Sequence, residues 1–255
     1  MINYIKFAIF QIIAFILSIF RLNKYLKFPD KYTMENKFSF LKNQASNSLK
    51  LVNINVDVLG RDKIPKEPVL FVINHSSMLD SYILVSNIDR PIGCIIADEP
   101  VWKKMPIVNK WASVIRCIYI DRHDNRKGLK SIIEASNAIK DGHSMAVFPE
   151  GDLSWVRDPK SLISEFKSGA LKIAYKAKCP IVPLVIKNSR ETYSGYEPIG
   201  KIKSLNVEIE FLDPVYSHIH NPKIKTIDLG ESIREDMIDS ILEFNDRYTE
   251  KAVSI

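Results

Sequence analysis

At 255 residues, with 46% apolar and 26% charged side chains, the chain is long enough to build one large domain with a proper core and too apolar to be disordered. A formal net charge of +6 suits anionic partners such as lipid headgroups, phosphorylated substrates or an acidic carrier protein. No finger, basic-zipper or RNA-recognition pattern is present, which argues against nucleic acid, and three scattered cysteines (Cys94, Cys117, Cys179) suggest neither a zinc site nor a disulfide framework but a reducing, cytoplasmic face.

Phe7 to Phe20 is an uncharged apolar run, preceded by Lys6 and followed by Arg21, Lys24 and Lys27. Its fourteen residues reach only about 21 Å as a helix, against a hydrocarbon core of about 30 Å. A helix embedded in one leaflet is the economical reading; a span requires Ile2 to Ile5 as well, with Lys6 and Arg21 snorkelling. The phenylalanines and isoleucines lie all round the helix, which favours lipid over a soluble core. Residues 1–28 are thus expected as a membrane-anchoring helical segment, 29–50 as a polar surface connector, and 51–255 as one α/β domain.

Val52, Ile54, Val56 and Val58 alternate with polar residues and predict a half-buried strand. The five apolar residues Val69 to Ile73 read as a buried strand that runs into the polar turn Asn74-His75-Ser76-Ser77. Ser76 or Ser77 is a natural N-cap for a helix carrying Leu79, Tyr82, Ile83 and Val85. His75 then stands where strand becomes helix, and Asp80 in the first turn can point back at it. A carboxylate behind an imidazole fixes its tautomer and stabilises the imidazolium, which suits the histidine to take a proton from a hydroxyl.

Farther on, Ile92 to Ala97 predicts a short strand, and Pro100 to Ala112 mixes aromatics with lysines, as a membrane-surface segment, the rim of an acyl-chain channel or plain packing. Val114 to Ile120 predicts a strand that delivers Arg122 to its end, Leu129 to Ile139 a helix closed by Asp141-Gly142, and Met145 to Phe148 a strand meeting Pro149-Glu150-Gly151. Ala170 to Lys178 predicts a helix, Ile181 to Ile186 and Leu205 to Phe211 strands, and Ile233 to Leu242 one face of a final helix. The alternation implies an α/β class with a mixed sheet flanked by helices, in a single domain. Functional groups in such sheets gather at strand ends, where His75, Arg122 and Glu150 are all predicted. His218-x-His220 falls in a loop, and no metal-ligand cluster is expected.

Four stretches in order resemble the glycerolipid acyltransferase family, the lysophosphatidate acyltransferases and their relatives. They are His75-Ser76-Ser77-Met78-Leu79-Asp80; Ile118-Tyr119-Ile120-Asp121-Arg122; Phe148-Pro149-Glu150-Gly151; and Phe166-Lys167-Ser168-Gly169-Ala170 with Pro180-Ile181-Val182-Pro183-Leu184. The resemblance covers most of residues 52 to 186. It implies a membrane-associated O-acyltransferase of phospholipid biosynthesis, moving a fatty acyl group from acyl-CoA or acyl-carrier protein, as co-substrate and without a cofactor, to a lysophospholipid hydroxyl. The expected acceptor is 1-acylglycerol-3-phosphate and the product phosphatidate.

On this reading His75 and Asp80 are the catalytic pair, and Arg122, Glu150, Gly151 and Lys167 contact substrate. Arg122 would hold a phosphate with its planar fork, Glu150 would shape the acceptor site, and N–H groups near Gly151 or His75 would face the oxyanion. No Gly-x-Ser-x-Gly elbow occurs, so no acyl-enzyme is indicated. Two departures from the family bear on the acceptor: Asp152-Leu153-Ser154 stands where Thr-Arg-Ser is usual, and Ala97-Asp98-Glu99 where a lysine is common. They keep open a non-phosphate lyso-lipid acceptor. A catalytically silent lipid-binding protein on the same fold and a thioesterase are rivals to acyl transfer itself.

Overall fold

The computed structural model describes residues 2–99, 106–154, 160–194 and 201–253. The chain runs α1 (Ile2–Lys27), α2 (Met34–Leu51), β1 (Asn55–Leu59), β2 (Leu70–Ile73), α3 (Asp80–Asn87), β3 (Ile92–Ala97), α4 (Pro106–Val114), β4 (Ile118–Ile120), α5 (Asn125–Lys140) and β5 (Ser144–Val147). It continues through α6 (Ser168–Ala177), β6 (Ile181–Lys187), β7 (Tyr193–Ser194), β8 (Lys201–Ile202), β9 (Asn206–Phe211), α7 (Ser217–His220) and α8 (Thr226–Val253).

Seven strands form one mixed sheet in the order β1-β9-β6-β2-β5-β3-β4, and β7 and β8 form a separate ribbon. From β6 to β4 every pairing is parallel; β9 meets β6 antiparallel. The carboxyl ends of five strands therefore lie along one edge. The central strand β2 is buried on both faces, as a crossover-flanked parallel strand must be. Phe71 and Ile73 pack with α2 and α3 residues such as Phe38, Leu49 and Ile83, while Leu70 and Val72 pack with Ile132, Leu171 and Met237 of α5, α6 and α8. That is the strand's two-residue period laid across two layers of helix.

Residues 29–50 are more than a surface connector. Thr33 caps α2 in a reciprocal capping box with Asn36, and Phe38, Ala45 and Leu49 are buried. Residues 114–117, expected as strand, instead end α4: Cys117 N–H donates to Ala112 O at 2.7 Å and Arg116 N–H to Ser113 O at 3.1 Å, with Arg116 at φ +59°. This is a Schellman turn with arginine where glycine is usual. Trp111 packs in α4 against Tyr25 and Phe40, so packing is the fate of this half of the 100–112 segment; Trp102 lies outside the described residues.

Helix α1 lies along the domain. Its buried stripe is Ala14, Ser18, Leu22 and Tyr25, and Gln11 on the same side donates to Ser48 Oγ at 2.8 Å and accepts from Tyr82 OH at 3.2 Å. Near its start Asn3 reaches Ser204 Oγ at 3.1 Å. The all-round apolarity thus divides: one stripe docks, and Ile2, Ile5, Ile9, Ile12, Ile13, Ile16, Leu17 and Phe20 stay exposed. The helix is long and apolar enough to cross a membrane by length and composition.

Candidate active site

Strand β2 ends in Asn74, whose side chain substitutes for a strand peptide: it donates to Ile186 O at 2.9 Å and accepts from Ile186 N–H at 2.7 Å. This extends the β2–β6 ladder one residue past the strand and fixes where His75 begins. Helix α3 starts at Asp80, later than the serine caps predict; Ser77 instead makes a preceding turn, taking Leu79 N–H on its Oγ and Asp80 N–H on its carbonyl. Ser77 Oγ also meets Thr192 Oγ1 at 2.9 Å, anchoring the turn to the segment after β6.

The turn places Asp80 under His75. Asp80 is 0% exposed, and its Oδ2 lies 3.0 Å from His75 Nδ1, 2.6 Å from Ser76 N and 2.7 Å from Ser77 N. Three donors converge on one oxygen, which holds the carboxylate in place and sets the Nδ1–H tautomer of His75. Nε2 keeps its lone pair, on a ring 22% exposed that stacks on Phe148 at 4.4 Å between centroids. The arrangement is an imidazole oriented by a buried carboxylate, with its second ring nitrogen open to accept a proton. Met78, in the same turn, is 52% exposed and puts an apolar side chain beside it.

Glu150 is 0% exposed, so its carboxylate does not line the surface that an acceptor reaches. Oε1 accepts His75 N–H at 2.7 Å and Oε2 accepts Ser164 N–H at 2.6 Å. Burial pushes its pKa up to about 7, against the pull of these two amides. His75 is thus held at its side chain by one buried carboxylate and at its backbone by another. Ser154 N–H donates to His75 O at 2.8 Å, so both peptide groups of the residue are committed.

Arg122 follows β4 and is brought to the loop after β5, where Nη1 donates to Gly151 O. Gly151 sits at φ +75°, a conformation that favours glycine, and a Cβ there would lie 3.3 Å from Arg122 Nη1, so that side chain would have to shift slightly. Lys167 precedes α6, its N–H bonded to Pro149 O at 2.8 Å and its side chain exposed. Four amides of the turns expected to face the oxyanion are engaged: Gly151 N–H donates to Phe148 O at 3.2 Å, His75 N–H to Glu150, and those of Ser76 and Ser77 to Asp80.

Six candidate residues therefore gather at one sheet edge, with His75, Asp80 and Glu150 in direct contact and Arg122, Gly151 and Lys167 in a second group. Sequence reasoning marked Glu99 only as a departure and missed its pairing, in which Oε1 accepts Arg122 Nη2 at 3.1 Å, along with the bracing roles of Asn74, Ser164 and Thr192. Asn74 stood beside the motif as a polar residue ending an apolar run; the others carried no local signal. A cavity of about 600 Å³ between α4, β4 and α5 contains none of the site residues, and its lining carries no paired base. His218 is buried, its Nε2 3.0 Å from Cys179 O, and among the described residues no group is placed to hold a metal.

The Acyltransferase family model matches residues 55–187. A probable 1-acyl-sn-glycerol-3-phosphate acyltransferase of Mycoplasma genitalium is 30% identical over 241 residues, 90% of this chain and 86% of its own length. Its counterpart in Mycoplasma pneumoniae is 32% identical over 182 residues, 70% of this chain and 66% of its own. The 1-acyl-sn-glycerol-3-phosphate acyltransferase of Saccharomyces cerevisiae is 26% identical over 76% of this chain and 62% of its own length. The crystal structure of the 1-acyl-sn-glycerophosphate acyltransferase PlsC from Thermotoga maritima superposes with a TM-score of 0.76 at 19% identity, covering 95% of both chains, and shares the fold. With its family model spanning more than half its length and its four motifs brought to one sheet edge, this chain belongs to the Acyltransferase family.

Proposed function

We propose that this acyltransferase moves a fatty acyl group from acyl-CoA or acyl-carrier protein to the free hydroxyl of 1-acylglycerol-3-phosphate, forming phosphatidate. The observation that carries the reading is the His75 Nδ1 to Asp80 Oδ2 contact of 3.0 Å, which leaves Nε2 as a base. Nε2 removes the hydroxyl proton as the oxygen attacks the thioester carbonyl. The tetrahedral adduct then collapses, the C–S bond breaks, and the imidazolium returns the proton to the departing thiolate. Arg122 is the cation offered to the acceptor's phosphate, with Lys167 nearby. The names of the related proteins support the acceptor.

The exposed apolar face of α1 supports a bilayer partner, and its side-long docking on the domain supports a helix lying in one leaflet rather than standing apart as a span. The three free thiols fit a site on the cytoplasmic side. A second reading, a non-phosphate lyso-lipid acceptor, is favoured by Glu99 on Arg122 and by Asp152, which follows Arg122's other partner, Gly151, in the chain. Product analysis by mass spectrometry after incubation with an acyl thioester and either lysophosphatidate or monoacylglycerol separates the two. Phosphatidate as the product supports the first, and diacylglycerol alone excludes it.

A further inference from the structure

The arginine offered to the acceptor's phosphate is not waiting unpaired. Strands β3 and β4 pair parallel, with Ile95 opposite Ile118, Ile96 opposite Tyr119 and Ala97 opposite Ile120. Before the ladder starts, Cys94 N–H meets Cys117 Sγ at 3.3 Å; after it ends, Asp98 N–H still donates to Ile120 O at 2.9 Å. Glu99 and Arg122 each stand two residues past the last paired positions, Ala97 and Ile120; Glu99 N–H closes a turn onto Ala97 O at 2.9 Å, and its Oε1 meets Arg122 Nη2 at 3.1 Å. The parallel pairing of β3 and β4 thus delivers both residues to the same sheet edge. The other half of the guanidinium fork is on Gly151 O. Both terminal nitrogens have a partner before any substrate arrives.

We propose that Glu99 is a specificity-determining residue of the acceptor site, a carboxylate that occupies Arg122 and must be displaced by an incoming phosphate. The inference rests on the reading of Arg122 as the phosphate contact. A phosphomonoester carries a charge of about −2 near neutral pH and three acceptor oxygens, so it competes well against a single carboxylate. A neutral headgroup has no means to displace Glu99 and leaves the pair closed. The side chains are 42% exposed for Glu99 and 33% for Arg122, so the carboxylate can swing into water once released. Exposed pairs of this kind are weak, and their exchange for a phosphate is within reach of binding. Lys167, against the same glycine, is the second cation a displaced phosphate contact would use.

The test compares wild type, Glu99→Gln, Arg122→Ala and the double variant. Glutamine keeps the size and a hydrogen-bond acceptor but removes the competing charge. The expected result is a KM for lysophosphatidate about threefold to tenfold lower in Glu99→Gln, with kcat within about twofold and kinetics on monoacylglycerol unchanged. Calorimetric binding of glycerol 3-phosphate should tighten by the same factor, and the substitution should have no effect in the Arg122→Ala background. An unchanged or higher KM, or an equal effect with Arg122 absent, overturns the proposal; a higher KM means that Glu99 positions Arg122 instead of competing for it. If wild type fails to acylate lysophosphatidate, the functional reading fails. The glycerol 3-phosphate titration then still decides about Glu99: tightening in Glu99→Gln that depends on Arg122 upholds the competition, and any other result ends it.

Discussion

The backbone N–H of His75 donates to Oε1 of Glu150 at 2.7 Å, across 75 positions of sequence. His75 is thereby tied to the loop after β5, and through Oε2 of the same carboxylate to Ser164. Glu150 is fully buried, and each of its carboxylate oxygens is taken by a backbone amide.

Glu150→Gln separates bracing of His75 from contact with the acceptor. A glutamine can accept from only one of the two amides and turns an NH2 toward the other. Displacing the base by a fraction of an ångström should lower kcat about tenfold to a hundredfold while the acceptor KM stays within about twofold. Steady-state kinetics decide it: a raised KM with normal kcat would put Glu150 on the acceptor.

Glu150 also predicts a pH dependence of stability. Its folded pKa of about 7 lies above the ordinary glutamate value of 4.5, so the folded state holds the proton more tightly than the unfolded one. The favourable contribution is complete below about 4.5 and is lost as pH rises through about 7. Denaturant melts at pH 5 and pH 8 should show wild type losing stability relative to Glu150→Gln across that interval. A constant difference would contradict the assignment.

Asp80→Asn should fold and fail to work. An asparagine oxygen in the place of Oδ2 can still take the Ser76 and Ser77 amides and the His75 Nδ1–H, but the negative charge that stabilises the imidazolium is gone. Loss of kcat by about a hundredfold or more is expected, with a melting curve close to wild type. Retained activity would show that Asp80 only shapes the turn.

Arg116 holds φ +59° at the end of α4, in a turn that ordinarily uses glycine. Arg116→Gly should therefore raise stability by about 0.5–1 kcal/mol, or about 1–3 °C in Tm. Differential scanning calorimetry reads it, and a fall in Tm would mean that the side chain makes up for its backbone.

What could be read in advance follows from where the information sits. The run Val69 to Ile73 carried its own signal, since a strand buried on both faces must be apolar throughout, and the turn with His75 and Asp80 is local enough for spacing to imply contact. The end of α4 was illegible because Arg116 stands in a glycine position. The docked stripe of α1 was hidden because lipid and protein interior select the same side chains. Glu150 was found but its role was not, since both its partners are backbone amides and an amide leaves no mark in sequence. Glu99 was visible as a departure, yet its pairing with Arg122 needed β3 to lie beside β4.

The central claim is that His75 takes the proton of an acceptor hydroxyl during attack on a thioester. Thiol release from palmitoyl-CoA and from palmitoyl-acyl-carrier protein, with and without lysophosphatidate, tests it most directly beside His75→Ala. Release that requires lysophosphatidate and disappears in the folded variant is the predicted result. Release without any acceptor, or undiminished in His75→Ala, would contradict it.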